Sequence, residues 1–358
     1  MKKVLIATTA LVMTAGIASA EAALSGSGRM GMIYDGNDAQ FSSRIRAVFT
    51  MTGESDAGLS FGGSIRADNS ANGNRGTAGS VYVSGAYGKL EMGDVVSASE
   101  AAVGDLPAVG YTEGGFAGDL EEISYLTGDG ANLDQGANIL YQYTINNISL
   151  FASASDGSDR NWFTAAGDND NYVCEIDDND TPWTDDDVTV PGSCTVAEDD
   201  DLAWSLAAQY EAENFTAGLG YAKQGDAEEW TLGGKATFNN FAVSGIYADY
   251  SDRNSIGFGG DDVTGQLVDD LTLSSDNFEL DKTYGLGVEY QMDALRLAGF
   301  WRRDEIEAVA AGYDDQDFDS FGIGADYDLG GGAVLAGGIV DSDWLNDTVA
   351  DFGVRFKF

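Results

Sequence analysis

Residues 348–358, at the carboxyl end of the chain, read Thr-Val-Ala-Asp-Phe-Gly-Val-Arg-Phe-Lys-Phe. Every second side chain from Ala350 to Phe358 is apolar. The positions between them are Asp351, Gly353, Arg355 and Lys357. Alternation with a period of two predicts a β-strand that has one apolar face and one polar face.

The same alternation recurs along the chain and predicts sixteen strands. They lie at about 22–34, 41–53, 58–68, 79–87, 89–95, 137–145, 147–155, 201–211, 214–224, 229–238, 240–251, 282–291, 294–303, 317–328, 332–342 and 348–358. Tight turns alternate with long connections at about 69–78, 96–136, 156–200, 252–281 and 304–316. This pattern is typical of bacterial membrane barrels. We therefore predict an all-β fold, a 16-stranded antiparallel transmembrane β-barrel. A secreted β-sandwich or β-solenoid is the alternative, but one soluble core could not use so many apolar faces.

The first twenty residues predict export from the cytoplasm. They begin with Lys2 and Lys3, continue as an apolar run and end in Ala18-Ser19-Ala20, the pattern of a secretory signal peptide. We therefore assign residues 1–20 to a signal peptide and residues 21–358 to the barrel. The net charge of −42 excludes a nucleic-acid partner. Because the chain has no His, catalytic triads that depend on His are excluded, and we predict that it is not an enzyme.

Four arginines on the first three predicted strands have the opposite parity from the apolar residues of their own strands. They are Arg29, Arg44, Arg46 and Arg66. An arginine that faced lipid at the bilayer midplane would cost about 2–4 kcal/mol. The four side chains are therefore expected on one arc of the inner wall. Wall charges without a joint purpose are the alternative interpretation.

The segment 96–136 is too long for a turn and is expected to be a third loop folded into the lumen. Its carboxylates are Asp105, Glu113, Asp119, Glu121 and Glu122. Placed opposite the arginines, they would create a transverse field across a narrowed opening. Polar solutes can align in such a field, whereas apolar solutes would displace ordered water without replacing its hydrogen bonds.

The segment 156–200 is predicted to be an acidic extracellular loop. It contains Cys174 and Cys194, for which we predict a disulfide, with two free thiols as the alternative. Carboxylates are preferred calcium ligands, so a structural calcium ion is a candidate there, although a solvated acidic loop is the favoured interpretation. The candidate ligands are Asp168, Asp170, Asp177 and Asp178. No cofactor is required.

Three stretches resemble the trimeric general-diffusion porins of Rhodobacter-type alpha-proteobacteria. They are residues 24–29, Leu-Ser-Gly-Ser-Gly-Arg; residues 42–46, Ser-Ser-Arg-Ile-Arg, leading to 58–66, Gly-Leu-Ser-Phe-Gly-Gly-Ser-Ile-Arg; and the terminal 348–358. The resemblance implies a homotrimer in the outer membrane lipid of a Gram-negative bacterium. It also implies passive diffusion of ions and small hydrophilic solutes, a third loop inside the pore with carboxylates facing arginines, and calcium at acidic loop positions. The long fourth loop with its cysteine pair departs from the family.

Two further function classes stay open. One is a substrate-specific channel, and the other is a structural or adhesive barrel with a plugged lumen. An outer-membrane enzyme is disfavoured because such barrels rely on His. The strongly negative net charge favours cations in the vestibule, while the arginine arc would moderate this preference at the narrowest point.

Overall fold

The computed structural model describes residues 21–69, 75–126, 138–155, 172–174, 194–196, 202–253, 257–258, 261–262, 267–268, 271–272 and 277–358. The predicted signal peptide, residues 1–20, lies outside the described residues. Within the described residues no helix is long and apolar enough to cross a membrane.

Sixteen antiparallel strands form one closed barrel, which confirms the predicted fold class. In chain order they are β1 (Glu21–Tyr34), β2 (Ala39–Glu54), β3 (Ser60–Asp68), β4 (Arg75–Gly85), β5 (Gly88–Gly93), β6 (Asn138–Ile145), β7 (Ile148–Ser155), β8 (Ala203–Ala212), β9 (Phe215–Gln224), β10 (Ala227–Phe238), β11 (Phe241–Ser251), β12 (Phe278–Met292), β13 (Leu295–Ala308), β14 (Gln316–Gly330), β15 (Ala333–Ser342) and β16 (Asp347–Lys357). Each strand pairs with the next, and β16 closes the barrel on β1 from Ser27↔Lys357 to Tyr34↔Ala350.

The outer face of the barrel is apolar. Exposed side chains on alternate positions include Met30, Ile45, Leu219, Leu286, Ile323 and Phe352. Such a continuous apolar surface suits lipid rather than water. At one end the strands join through tight turns, where Asn146, Asn239 and Asp293 adopt positive φ of 54°, 54° and 48°. Asn and Asp tolerate this conformation better than other residues with a side chain.

Two strands extend further than the alternation predicts. β12 begins at Phe278 and β13 ends at Ala308, about four and five residues beyond the predicted bounds. In this extension the pattern is inverted, because Leu280 and Ile306 are buried while Glu305 is half-buried and Glu307 is exposed. The inversion hides the strands from a search for an apolar outer face.

Short elements lie outside the barrel wall. Tyr172–Cys174 pairs with Cys194–Val196, Gly257–Phe258 with Asp261–Asp262, and Leu267–Val268 with Leu271–Thr272. The connection between β5 and β6, residues 94–137, is described as far as residue 126 and is called the third loop below. It contains one helix, α1 (Ala98–Val103). The Ser97 side chain caps α1 by accepting a hydrogen bond from Glu100 N.

Candidate functional site

The third loop lies along the inner face of the barrel wall. At its start, Ala98 N donates to Ser153 Oγ on β7 and Ser99 N donates to Ser205 Oγ on β8, each at 2.9 Å. Further on, a methyl group at Gly285 on β12 would lie 2.6 Å from Leu106 Cδ1, and one at Gly338 on β15 would lie 2.7 Å from Gly110 N. These glycines let the loop approach the wall backbone closely. The loop therefore follows the wall from β7 as far as β15 and, through the contacts below, to β16 and β1.

Side chains of the wall hold the main chain of the third loop. The carbonyl of Ala102 accepts from Gln209, that of Gly110 from Arg355, and that of Thr112 from Arg29, at 2.9, 3.3 and 2.7 Å. Near the described end of the loop, buried Arg302 donates to the carbonyls of Leu120 and Glu122, and buried Arg253 donates to that of Ser124. Charged donors make stronger hydrogen bonds than neutral ones, so these contacts anchor the loop path.

Asp351 on β16 is the most heavily bonded anchor of the loop turn. Its Oδ1 accepts from Tyr111 N and Gly338 N, each at 3.0 Å. Its Oδ2 accepts from Thr112 N at 2.8 Å and from Thr112 Oγ1 at 2.7 Å. The residue is only 5% exposed, so these four bonds replace the water that the carboxylate would otherwise bind.

Charged side chains form a band across the inner wall beside the loop. We call it the charge belt, and it consists of Lys235 (β10), Glu289 (β12), Arg296 (β13), Asp326 (β14) and Arg355 (β16). Lys235 pairs with Glu289, and Arg296 lies 2.8 Å from Glu289 Oε1. The Asp326 carboxylate lies 3.0 Å from Arg296 Nη1 and 2.7 Å from Arg355 Nη2. Alternating signs keep this row of charges together on one surface.

The four arginines of the sequence prediction lie beside one end of the charge belt. We call Arg29, Arg44, Arg46 and Arg66 the arginine cluster. Arg29 stands opposite Arg44 on β2 and opposite Arg355 on β16. Arg46 makes two hydrogen bonds of 2.7 and 2.8 Å to Asp68, and Arg66 lies 3.9 Å from the same carboxylate. The structure therefore joins the cluster to the belt through the closure of β16 on β1.

The predicted loop carboxylates do not lie together against the arginines. Glu113 lies 3.2 Å from Arg355 and is 57% exposed on its side chain, so it faces this surface. Asp105 instead accepts from Ile123 N within the loop, and Asp119 lies at a turn with φ of 54°. The Glu122 carbonyl, rather than its carboxylate, accepts the described bond from Arg302.

The expectation that the Glu121 carboxylate lines the opening is wrong. It is only 3% exposed, because the loop folds its side chain against Gly114. The carboxylates that accompany the arginines come largely from the wall, as Asp68, Glu289 and Asp326. These three residues and Arg296 were not predicted from the sequence, although all four have inward parity on their strands. Only barrel closure and the strand register bring them together.

The pKa of Glu121 makes loop docking sensitive to pH. This pKa is raised from 4.5 to about 8, chiefly by burial; the nearby carboxylates of Asp119 and Asp105 act in the same direction, and Arg302 opposes the shift. The docked loop therefore binds the proton more tightly than a released loop. Docking is strongest below pH 4.5 and weakens as the pH rises through about 8.

We therefore expect open-channel current noise, measured in a planar bilayer, to increase as the pH rises from 4.5 to about 8. Glu121→Gln, which stays neutral, should make this increase clearly smaller. Glu54→Gln is the control, because it removes one exposed carboxylate at the end of β2, away from the loop. An equal pH response in wild type and Glu121→Gln would contradict the assignment.

The remaining predicted groups belong to the fourth loop. Asp168, Asp170, Asp177 and Asp178, the candidate calcium ligands, lie outside the described residues. Among the residues that are described, no group of three or more His, Cys, Asp or Glu could hold a metal ion. Cys174 and Cys194 stand opposite each other in the register of their short hairpin, and the disulfide between them stays a prediction.

Comparison with known proteins gives consistent matches over nearly the whole chain. A family model described as Gram-negative porin matches residues 7–343. A porin from Rhodobacter capsulatus is 37% identical over 351 residues, covering 94% of this chain and all of that protein. A porin from Fuscovulum blasticum is 24% identical over 355 residues with the same coverage. A solved porin structure with 35% identity has a TM-score of 0.67, again covering 94% of this chain and 100% of the other.

Proposed function

Since this chain belongs to the Gram-negative porin family, we propose that its lumen is narrowed by the third loop and that a transverse field crosses the narrowed opening. The protein is an outer-membrane porin and not an enzyme. Ions and small hydrophilic solutes pass through it by diffusion. The charged groups that line the lumen of this chain select among these solutes.

The observation that carries the proposal is the continuity of the arginine cluster with the charge belt. Together with Asp68 and Glu113 they contain seven cations and four carboxylates, a surplus of three positive charges. The whole chain has a net charge of −42. The narrowed opening is thus locally positive within a negative protein. Such a contrast orients polar solutes and penalises apolar ones, which cannot replace the hydrogen bonds of the ordered water.

We also propose that three copies of the chain assemble, and the short strand β5 supports this. Its six residues rise about 20 Å at about 3.3 Å per residue. After a tilt of about 45° they span about 14 Å, whereas the apolar band of a membrane barrel is about 25 Å tall. Lipid alone would leave this part of the wall mismatched. A neighbouring subunit packed against β5 would cover it.

Single-channel recording of the purified protein in a planar bilayer tests the proposed function. We expect each insertion to produce a large conductance that closes in three equal steps. We also expect vesicles that contain the protein to take up small sugars. An insertion whose whole conductance closes in a single step would contradict the trimer. Silent insertions would contradict the open pore and would favour a plugged structural or adhesive barrel.

A further inference from the structure

A cavity lies between the third loop and the inner wall, on the part of the wall formed by β9 to β12. Its volume is about 320 Å³, enough for a molecule of amino-acid size. The loop contributes residues 102–107 from the end of α1 onward, and the wall contributes both polar and apolar side chains. The cavity is separate from the arginine cluster, which lies on β1 to β3.

The shape of the cavity follows from where α1 ends. Gly104 caps the helix with φ of +70°, and a methyl group there would meet nothing within 4 Å. The loop then turns away, so that Leu106 packs over Gly285 and Pro107 packs over Gly287. On the neighbouring strands β9 to β11 the lining contains small residues, among them Gly218, Gly233 and Gly245. The cavity is thus enclosed by the third loop on one side and by the barrel wall on the other.

The lining presents both charge signs and an apolar surface. Lys235 and Glu289 come from the wall, and Asp105 comes from the loop. The Lys235 side chain is 50% exposed, so its ammonium keeps donors for a ligand besides its pairing with Glu289. Thr216 and Ser244 add hydroxyl groups. The apolar part is formed by Leu106, Ile246 and their neighbours.

We propose that this cavity binds a small zwitterion, an aliphatic α-amino acid, on its way through the lumen. The carboxylate lies toward Lys235 and the two hydroxyl groups, the ammonium lies toward Asp105 and Glu289, and the aliphatic side chain packs on Leu106 and Ile246. The inference rests on the proposed function, since the ligand reaches the cavity through the open pore.

The other small solutes fit this lining less well. An anion that faces Lys235 also meets the carboxylates of Asp105 and Glu289, and a simple cation meets the ammonium of Lys235. A sugar would lack a ring to pack on, because none of the described residues that line the cavity is aromatic. A solute whose ammonium and carboxylate groups are attached to the same carbon atom satisfies both sets of groups at once.

The test compares three ligands of similar size in single-channel recordings at constant low ionic strength, because salt screens such contacts. They are L-leucine, 4-methylpentanoate and 3-methylbutylamine, which carry both charges, only the negative one and only the positive one. We expect leucine to reduce the potassium current saturably, with a half-saturating concentration about tenfold below those of the two analogues. No saturation by leucine, or equal saturation by either analogue, overturns the proposal.

Two variants locate the effect. Thr216→Val removes one hydroxyl without a change of volume, and Ser244→Leu fills part of the cavity. Each should raise the half-saturating leucine concentration about tenfold, the loss expected when a hydrogen bond to a charged group is removed. Thr237→Val is the matched control. Thr237 lies on the inner face of β10, like Lys235, but outside the cavity lining, so this variant should behave as wild type.

Failure of this inference differs from failure of the proposed function. A channel that conducts and ignores leucine overturns only the amino-acid site. A preparation that does not conduct overturns the porin mechanism itself. An unchanged leucine effect in both Thr216→Val and Ser244→Leu would place any binding elsewhere in the lumen and would also overturn the site.

Discussion

Asp351→Ala is expected to release the turn of the third loop from the barrel wall and to make the open-channel current strongly unstable. The substitution removes all four hydrogen bonds that the carboxylate accepts. It leaves the buried donors of Tyr111, Thr112 and Gly338 without an acceptor. Leaving a buried donor without its acceptor costs about 1–3 kcal/mol for each group. The docking equilibrium of the turn should therefore shift by at least about a hundredfold.

Two readouts check this expectation: current noise in the planar bilayer and cleavage of the loop by a protease added to the purified channel. Asp351→Asn, which keeps the shape and one acceptor oxygen, should lie between wild type and Asp351→Ala. Asp341→Ala is the control, because this exposed residue of β15 bonds only to Thr348 among the contacts described. Quiet, protease-resistant Asp351→Ala channels would mean that Arg253 and Arg302 hold the loop without it.

The second large effect is expected for ion preference. Replacing Arg44, Arg46 and Arg66 together with Gln removes the surplus of three positive charges and leaves Asp68 without its cation partners. In water each charge contributes about 0.8 kcal/mol to an ion at about 5 Å. After screening at about 0.1 M salt, where the Debye length is about 10 Å, we expect the cation-to-anion permeability ratio to rise about tenfold.

Reversal potentials in a salt gradient measure this ratio directly. The matched control replaces Lys223, Lys282 and Arg303 with Gln, which changes the net charge by the same amount. These residues pair with Glu228, Asp281 and Asp319, away from the arginine cluster and the charge belt. If the control shifts the reversal potential as far as the cluster variant, the selectivity follows the overall charge of the protein and not the narrowed opening.

The barrel wall could be predicted from the sequence because a strand assigns each residue to one of two faces. Arg29 and Arg44 were placed correctly on the inner wall by parity alone, since their strand neighbours Met30 and Ile45 are exposed on the outer face. The same parity holds for Arg355, but its position beside Arg29 depends on the closure of β16 on β1. Neighbours in space that are 326 positions apart cannot be recognised from a local pattern.

The loop carboxylates could not be sorted in the same way. Glu113 and Glu121 lie in an irregular segment, where no period assigns a side chain to one side. One is exposed beside Arg355 and the other is buried against Gly114, and only the path of the loop decides between them. That path depends on distant anchors such as Asp351 and Arg302, whose roles emerge only after the barrel has closed.

Side chains of the wall hold the third loop mainly through the main-chain carbonyls of the loop, at Ala102, Gly110, Thr112 and Leu120. Every amino acid supplies a main-chain carbonyl, so the exposed side chains of the loop, such as Asp105 and Glu113, can change while its course through the lumen stays the same. Natural variation could therefore retune which solutes pass, one residue at a time, without rebuilding the scaffold. Conversely, a change at a wall residue that bonds to the loop main chain, such as Arg302, would shift the path of the loop and all of its side chains together.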